Sequence, residues 1–212
     1  MNQHSSDDTV FNAKVALILV DIQHDFLPGG ALAVPHGDEV VPVANQRMPR
    51  YQLVVATQDW HPPDHASFAS QHSGTQVGDV IEWDGGPQVM WPDHCVQNTG
   101  GAQFAAALQI DRFDHIVRKG TDRRIDSYSG FFDNNHRRAT GLHEYLNQRG
   151  IEELHVMGLA TDYCVKFTAL DAVELGYRVV LIYEGIRGVE LQPGDCQRAI
   201  VAMQQHGVQL AT

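Results

Sequence analysis

Six short apolar runs punctuate the chain: VALILV at 15–20, YQLVVAT at 51–57, DHIVRKG at 114–120, LHVMG at 154–158, RVVLI at 178–182 and VQLA at 208–211. Each has strand length, and Val, Ile and Leu dominate them. Between the runs the pattern predicts helices over 37–49, 101–109, 139–149, 162–175 and 195–206, with Gly150 and Gly176 placed where helices end. The runs show no clean polar face, so both faces of each strand must be covered. Strands alternating with helices in this way predict a doubly wound, three-layer α/β/α domain around a mainly parallel sheet of about six strands. Ligands of such sheets bind beyond the carboxyl ends of the strands, so the residues just after each run are the first to inspect. The stretch 59–100 breaks the alternation and reads as a long irregular loop, a length that in a compact domain usually serves function.

Composition narrows the class. The 212 residues are 43% hydrophobic, enough for one full core over 13–212, while the polar, acidic residues 1–12 read as a flexible tail. The chain start lacks the basic flank and apolar segment of a secretory signal, and no apolar run reaches membrane-spanning length. A cytoplasmic protein with no membrane partner is expected. A formal charge of −11, without any long basic stripe, argues against nucleic acid as a partner. The three cysteines, Cys95, Cys164 and Cys196, form no CxxC pair and read as free thiols.

Three strand ends carry reactive groups. Asp21 follows the first run, Lys119 closes the third, and GLATDYC follows the fourth, with Thr161 as helix N-cap and Cys164 in the first turn. A lone Asp there is ordinarily a turn former, a lone Lys a solvated edge residue, and a lone Cys a small buried hydrophobe. Aimed at one rim, they have the composition of an activated-thiol site: the helix start should ease ionisation of the thiol, Lys119 supplies a cation, and Asp21 takes the proton. Amides at the start of the helix could then receive an oxyanion.

The long loop offers different chemistry. In TQDWHPPDH, Asp59 and His61 are two apart in an extended segment and so face the same side, His65 follows four residues later, and WPDHC adds His94. A carboxylate with two or three imidazoles suits one divalent ion of zinc, iron or manganese, with an open coordination position. His72 and Cys95 read as structural.

With these elements together, the chain closely resembles bacterial nicotinamidases (pyrazinamidases) of the isochorismatase-like hydrolase superfamily. The matching stretches LILVDIQHDFLPGGALAV, TQDWHPPDHASF, WPDHCVQNTGGAQF, VRKGTD, DSYSGFFDN and GLATDYCVKFTALDA run in the family's order along nearly the whole chain. The resemblance implies hydrolysis of nicotinamide to nicotinate and ammonia through a cysteine thioester in NAD salvage, with pyrazinamide also accepted. It implies a catalytic triad of Asp21, Lys119 and Cys164. The metal, zinc before iron or manganese, would orient the pyridine ring from Asp59, His61 and His94, with His65 or water as fourth ligand. The resemblance further implies ring-enclosing aromatics Phe26, Trp91 and Tyr128, and a cis peptide at Leu159–Ala160 that aims the Ala160 and Cys164 amides at the oxyanion. His24 replaces the family's common Asn and receives no metal role. Oligomeric state is left open, a homo-oligomer included. Rival readings are a related hydrolase of the isochorismatase, ureidoacrylate or carbamoyl-sarcosine type, and a non-enzymatic metal-binding or redox-responsive protein. The last has no use for Lys119, Trp91 or Tyr128.

Overall fold

The structure, a computed structural model, describes residues 10–211. Its central sheet has six strands, β1 (Val15–Val20), β2 (Val54–Asp59), β5 (His115–Lys119), β6 (Glu153–Leu159), β7 (Arg178–Arg187) and β8 (Gln209–Ala211), in the order β5-β2-β1-β6-β7-β8. Every neighbouring pair is parallel. Every residue of β1 and β2 is buried, so both sheet faces are covered at the centre, whereas the edge strand β5 alternates between buried and exposed positions. The helices are α1 (Val40–Arg47), α2 (Leu142–Asn147), α3 (Lys166–Glu174) and α4 (Asp195–Gln205). Among the described residues no helix is long and apolar enough to cross a membrane.

The chain winds outward from β1 through β2 to β5, then returns to lay β6, β7 and β8 on the other side. The winding direction therefore reverses between β1 and β6, which opens a crevice at their carboxyl ends. Asp21 follows β1 and Cys164 follows β6, so both stand at that reversal. Register does the rest: Val20 pairs with Gly158, and Asp59 pairs directly with Lys119.

Several sequence-based boundaries shift. The expected helix at 101–109 is absent. Gly101 lies against Asp25, and the backbone carbonyls are spent on side chains: Ala102 accepts from Gln23 and Gln58, and Ala107 accepts from Asn45. The helix expected over 139–149 shrinks to α2. The segment 59–100 is not wholly irregular, because β3 (Val80–Trp83) and β4 (Gly86–Val89) form an antiparallel hairpin. Its turn, Asp84-Gly85, has positive φ at both residues, the Asp-Gly signature of a tight hairpin. Of the expected tail, residues 1–9 lie outside the described residues. Phe11 is tied down: its amide donates to the Arg50 carbonyl and its ring stacks on Tyr51 at 4.7 Å.

At Gly158, φ is +123°, and an added Cβ would stand 2.1 Å from the Val20 carbonyl oxygen on β1. The two strands that carry the site approach too closely here for any side chain. Gly158→Ala is expected to destabilise the protein by about 3 kcal/mol or more, from overpacking against backbone together with unfavourable φ. Gly150→Ala, with open space around it, should cost about 1 kcal/mol. Urea denaturation of the two variants separates these outcomes, and equal midpoints would contradict the close-approach reading.

Candidate active site

One lysine ammonium organises the crevice. Lys119, fully buried, places Nζ 2.8 Å from Asp21 Oδ2, 2.5 Å from Asp59 Oδ1, 2.8 Å from the Ser127 carbonyl oxygen and 3.4 Å from Cys164 Sγ. A buried ammonium is tolerated only when its donors are matched and its charge countered, and here two carboxylates meet it. They outweigh the effect of burial and hold the Lys119 pKa well above its ordinary value.

The two aspartates differ sharply. Burial raises the Asp21 pKa to about 6, with Lys119 opposing and the charge on Asp59 adding to the rise. Burial also acts on Asp59, but Lys119, His61 and His94 overcome it and hold that carboxyl well below the usual range. Thr57, two residues before Asp59 on β2, donates to Asp21 Oδ1 at 2.5 Å and accepts from the Asp21 amide at 3.2 Å. Gln23 grips Asp59 through its backbone, accepting from the amide and donating to the carbonyl, both at 2.8 Å. Sequence reasoning passed over Thr57 and Gln23, although their spacing of two from Asp59 and Asp21 was a signal for shared strand faces.

Cys164 departs from expectation. Thr161–Val165 form a π-helical turn ahead of α3, with Ala160 rather than Thr161 at the cap position and no side-chain cap. Burial pushes the Cys164 thiol well above its ordinary pKa in spite of Lys119, with Asp21 and Asp59 adding to the rise. The resting group is therefore a neutral thiol beside an anionic base, not a preformed thiolate. The Leu159–Ala160 peptide is cis.

Beside this trio lies a cluster of nitrogen and oxygen ligands. Asp59 Oδ2 is 3.4 Å from His61 Nε2 and 3.8 Å from His94 Nε2, and the three donors lie within 4.8 Å of one another. His61 Nδ1 donates to the Gly120 carbonyl at 2.9 Å and His94 Nδ1 to the Pro92 carbonyl at 2.7 Å, which turns both Nε2 lone pairs inward. His61 Nε2 is buried with no hydrogen-bond partner. Burial, helped by His61, lowers the His94 pKa to about 4, so that ring is neutral. At His61 the charge on Asp59 overcomes burial and raises the pKa, so the cluster draws positive charge. These residues fit a divalent transition metal. His65 packs against His61, with ring centroids 4.2 Å apart, and groups with Asp126 rather than with Asp59 and His94.

Phe26, Trp91, Tyr128 and Ala160 line one cleft with Asp59, His94 and Cys164, joined by Leu32, Tyr163 and Val189. Trp91 Nε1 donates to the Tyr128 hydroxyl at 3.1 Å, and the Tyr163 ring meets Trp91 edge-on at 4.8 Å. The cleft is walled by aromatic rings and also carries the Cys164 thiol and the His94 imidazole. His72 bonds the Ala66 carbonyl, Cys95 is buried, its amide donating to Asp25, and His24 is exposed.

The geometry has relatives. An isochorismatase-domain family profile matches residues 15–212. A nicotinamidase of Escherichia coli is 51% identical over 201 residues, covering 93% of this chain and 94% of the relative. A solved nicotinamidase/pyrazinamidase of Acinetobacter baumanii superposes with a TM-score of 0.92 at 45% identity, covering 95% of this chain and 97% of that one. A pyrazinamidase of Pyrococcus horikoshii in complex with zinc gives 0.76 at 37% identity, covering 94% and 99%.

Removing the ammonium should expose the cost of the arrangement. Lys119→Met leaves two carboxylates buried without their shared counter-charge and is expected to lose about 3–5 kcal/mol of stability. Urea denaturation measures it, and an unchanged midpoint would contradict the account.

Proposed function

The chain belongs to the isochorismatase-domain family, and from that premise we propose that it hydrolyses nicotinamide to nicotinate and ammonia in cytoplasmic NAD salvage, with pyrazinamide as a further substrate. The observation that carries the reading is the contact of one buried ammonium with Asp21, Asp59 and Cys164 beside an aromatic-walled cleft. Phe26, Trp91 and Tyr128 offer the aromatic faces against which a pyridine or pyrazine ring would pack.

Cys164 Sγ attacks the carboxamide carbon as Asp21 takes the thiol proton, and Lys119 stays charged and holds both carboxylates in place. The amides of Ala160 and Cys164 receive the developing oxyanion. Asp21 passes its proton to the amide nitrogen, ammonia leaves, and the acyl group remains on Cys164 as a thioester. Asp21 then takes a proton from water, hydroxide adds to the thioester, nicotinate leaves, and the proton returns to the sulfur. Phe26, Trp91 and Tyr128 enclose the ring and hold the carboxamide against the thiol. Asp59, His61 and His94 would hold a divalent ion, zinc before iron or manganese, which would supply a Lewis-acid centre beside the ring of the substrate.

Two outcomes test the assignment. Cys164→Ala is expected to abolish ammonia release from nicotinamide while the fold is retained by circular dichroism, and residual turnover would remove the thiol from the reaction. In the wild type Asp21 must be ionised to act as base, so kcat/KM should fall as pH drops through about 6, approaching tenfold per pH unit below it. A profile flat down to pH of about 4.5 would refute Asp21 as base.

Metal content tests the ligand set. Wild-type protein is expected to carry close to one zinc per chain through purification, and His94→Ala to lose most of it, with affinity lowered about a hundredfold or more. Elemental analysis reads both, and full retention in the variant would overturn His94 as a ligand.

A further inference from the structure

His61 belongs to two clusters. Its Nδ1 is spent on the Gly120 carbonyl, and the ring packs so closely on Gly120 that an added Cβ there would stand 2.4 Å from Cε1. Only Nε2 is left to bind, since a flipped ring would give up the bond to the Gly120 carbonyl. Asp59 and His94 stand with it in one cluster, and His65 and Asp126 stand with it in the other. The ligand atoms of His61, His65 and Asp126 lie within 4.8 Å of one another, and all three residues are buried.

The second cluster has its own supports. His65 Nδ1 lies 2.7 Å from the Ser67 hydroxyl, which accepts from it in the tautomer that frees Nε2 for a metal, while the Ser67 amide approaches the same Nδ1 at 3.3 Å as a donor in the other tautomer; His65 Nε2 is buried without a hydrogen-bond partner. Asp126 is steadied by the Ser127 amide, which donates to Oδ1 at 2.7 Å, and by Gln88 Nε2 at 3.4 Å from Oδ2. Asp126 also lines both the aromatic cleft and a neighbouring cavity of about 320 Å³ walled by Trp83, Gln88 and Tyr128. Two imidazoles and a carboxylate form the same donor set as the first cluster.

We propose that His61, His65 and Asp126 form a second position for a divalent transition-metal ion, occupied in exclusion of the Asp59, His61 and His94 position because both need the one His61 Nε2. The chain then holds one ion at a time in either of two places that share a ligand. This rests on the metal reading given above, and the neighbouring cavity gives the second position its own approach through Asp126.

The test titrates the metal-free full-length protein with Co2+ and follows the ligand-field absorption, a readout independent of turnover. Wild type is expected to bind one ion. His94→Ala should still bind one, more weakly and with a different spectrum. His94→Ala/Asp126→Asn and His94→Ala/His65→Ala should each weaken binding by a further tenfold or more, about the loss expected for a removed support or ligand. Asp126→Asn alone should keep the wild-type stoichiometry. The proposal falls if folded His94→Ala takes up no Co2+, if the double variants bind as tightly as His94→Ala, or if Asp126→Asn alone loses the ion. It also falls if wild type binds two ions. Absence of Co2+ binding by wild type would instead overturn the metal reading itself.

Discussion

The Lys119 ammonium is the constraint around which the rest is arranged. A charge so completely removed from water is untenable alone, and its cost of several kcal/mol is offset only by partners of good geometry. Asp21, Asp59 and the Ser127 carbonyl provide them. Two carboxylates around one ammonium still leave a surplus negative charge. On the Asp59 side that surplus draws imidazolium or metal, and on the Asp21 side it draws a proton. The proposed nucleophile chemistry and the proposed metal binding are therefore two consequences of the same unbalanced trio.

The backbone makes the trio possible. Parallel pairing sets Asp59 beside Lys119 with no help from their side chains, and the reversal of winding between β1 and β6 brings Asp21 and Cys164 to one crevice. Residues 143 positions apart in sequence meet because their strands are neighbours. Gly158 is the point at which this arrangement is tightest, since the approach of β6 to the Val20 carbonyl leaves no space for a Cβ. Just before it the pairing of β6 with β7 shifts register, and beyond it the chain turns into the π-helical segment that carries the cysteine.

Periodicity made the sheet legible because its central strands are buried on both faces and spell themselves out in Val, Ile and Leu. The helices were less legible: at 101–109 an alanine-rich string looks helical, yet Gln23, Gln58 and Asn45 reach its carbonyls from distant segments, and no local pattern reveals that. The Asp84-Gly85 turn was a readable sign of the hairpin in the long loop, hidden by short strands with exposed positions. In the site, Asp21, Lys119, Cys164, Asp59, His61 and His94 stand at strand ends and in one histidine-rich loop, where chemistry-bearing residues draw notice. Thr57, Gln23 and Asp126 did not, because a threonine, a glutamine and a loop aspartate acquire meaning only from what they touch. The state of the thiol was misread for a related reason. Helix position is visible in sequence, whereas burial, which dominates at Cys164, is a property of the fold.

The same reasoning accounts for the different roles proposed for two aspartates of identical chemistry. Both touch Lys119, but Asp59 also faces two imidazoles and has its backbone clasped by Gln23, so its charge is fixed and its position rigid. Asp21 has one hydroxyl and a share of the ammonium, and it sits against the charge of Asp59 and the neutral thiol. An anion held weakly is a base, and an anion held strongly is an anchor. What separates the two is the number of positive neighbours on each side of one lysine. The two clusters around His61 and the base beside Cys164 thus draw on a single distribution of charge, set by where the strands end.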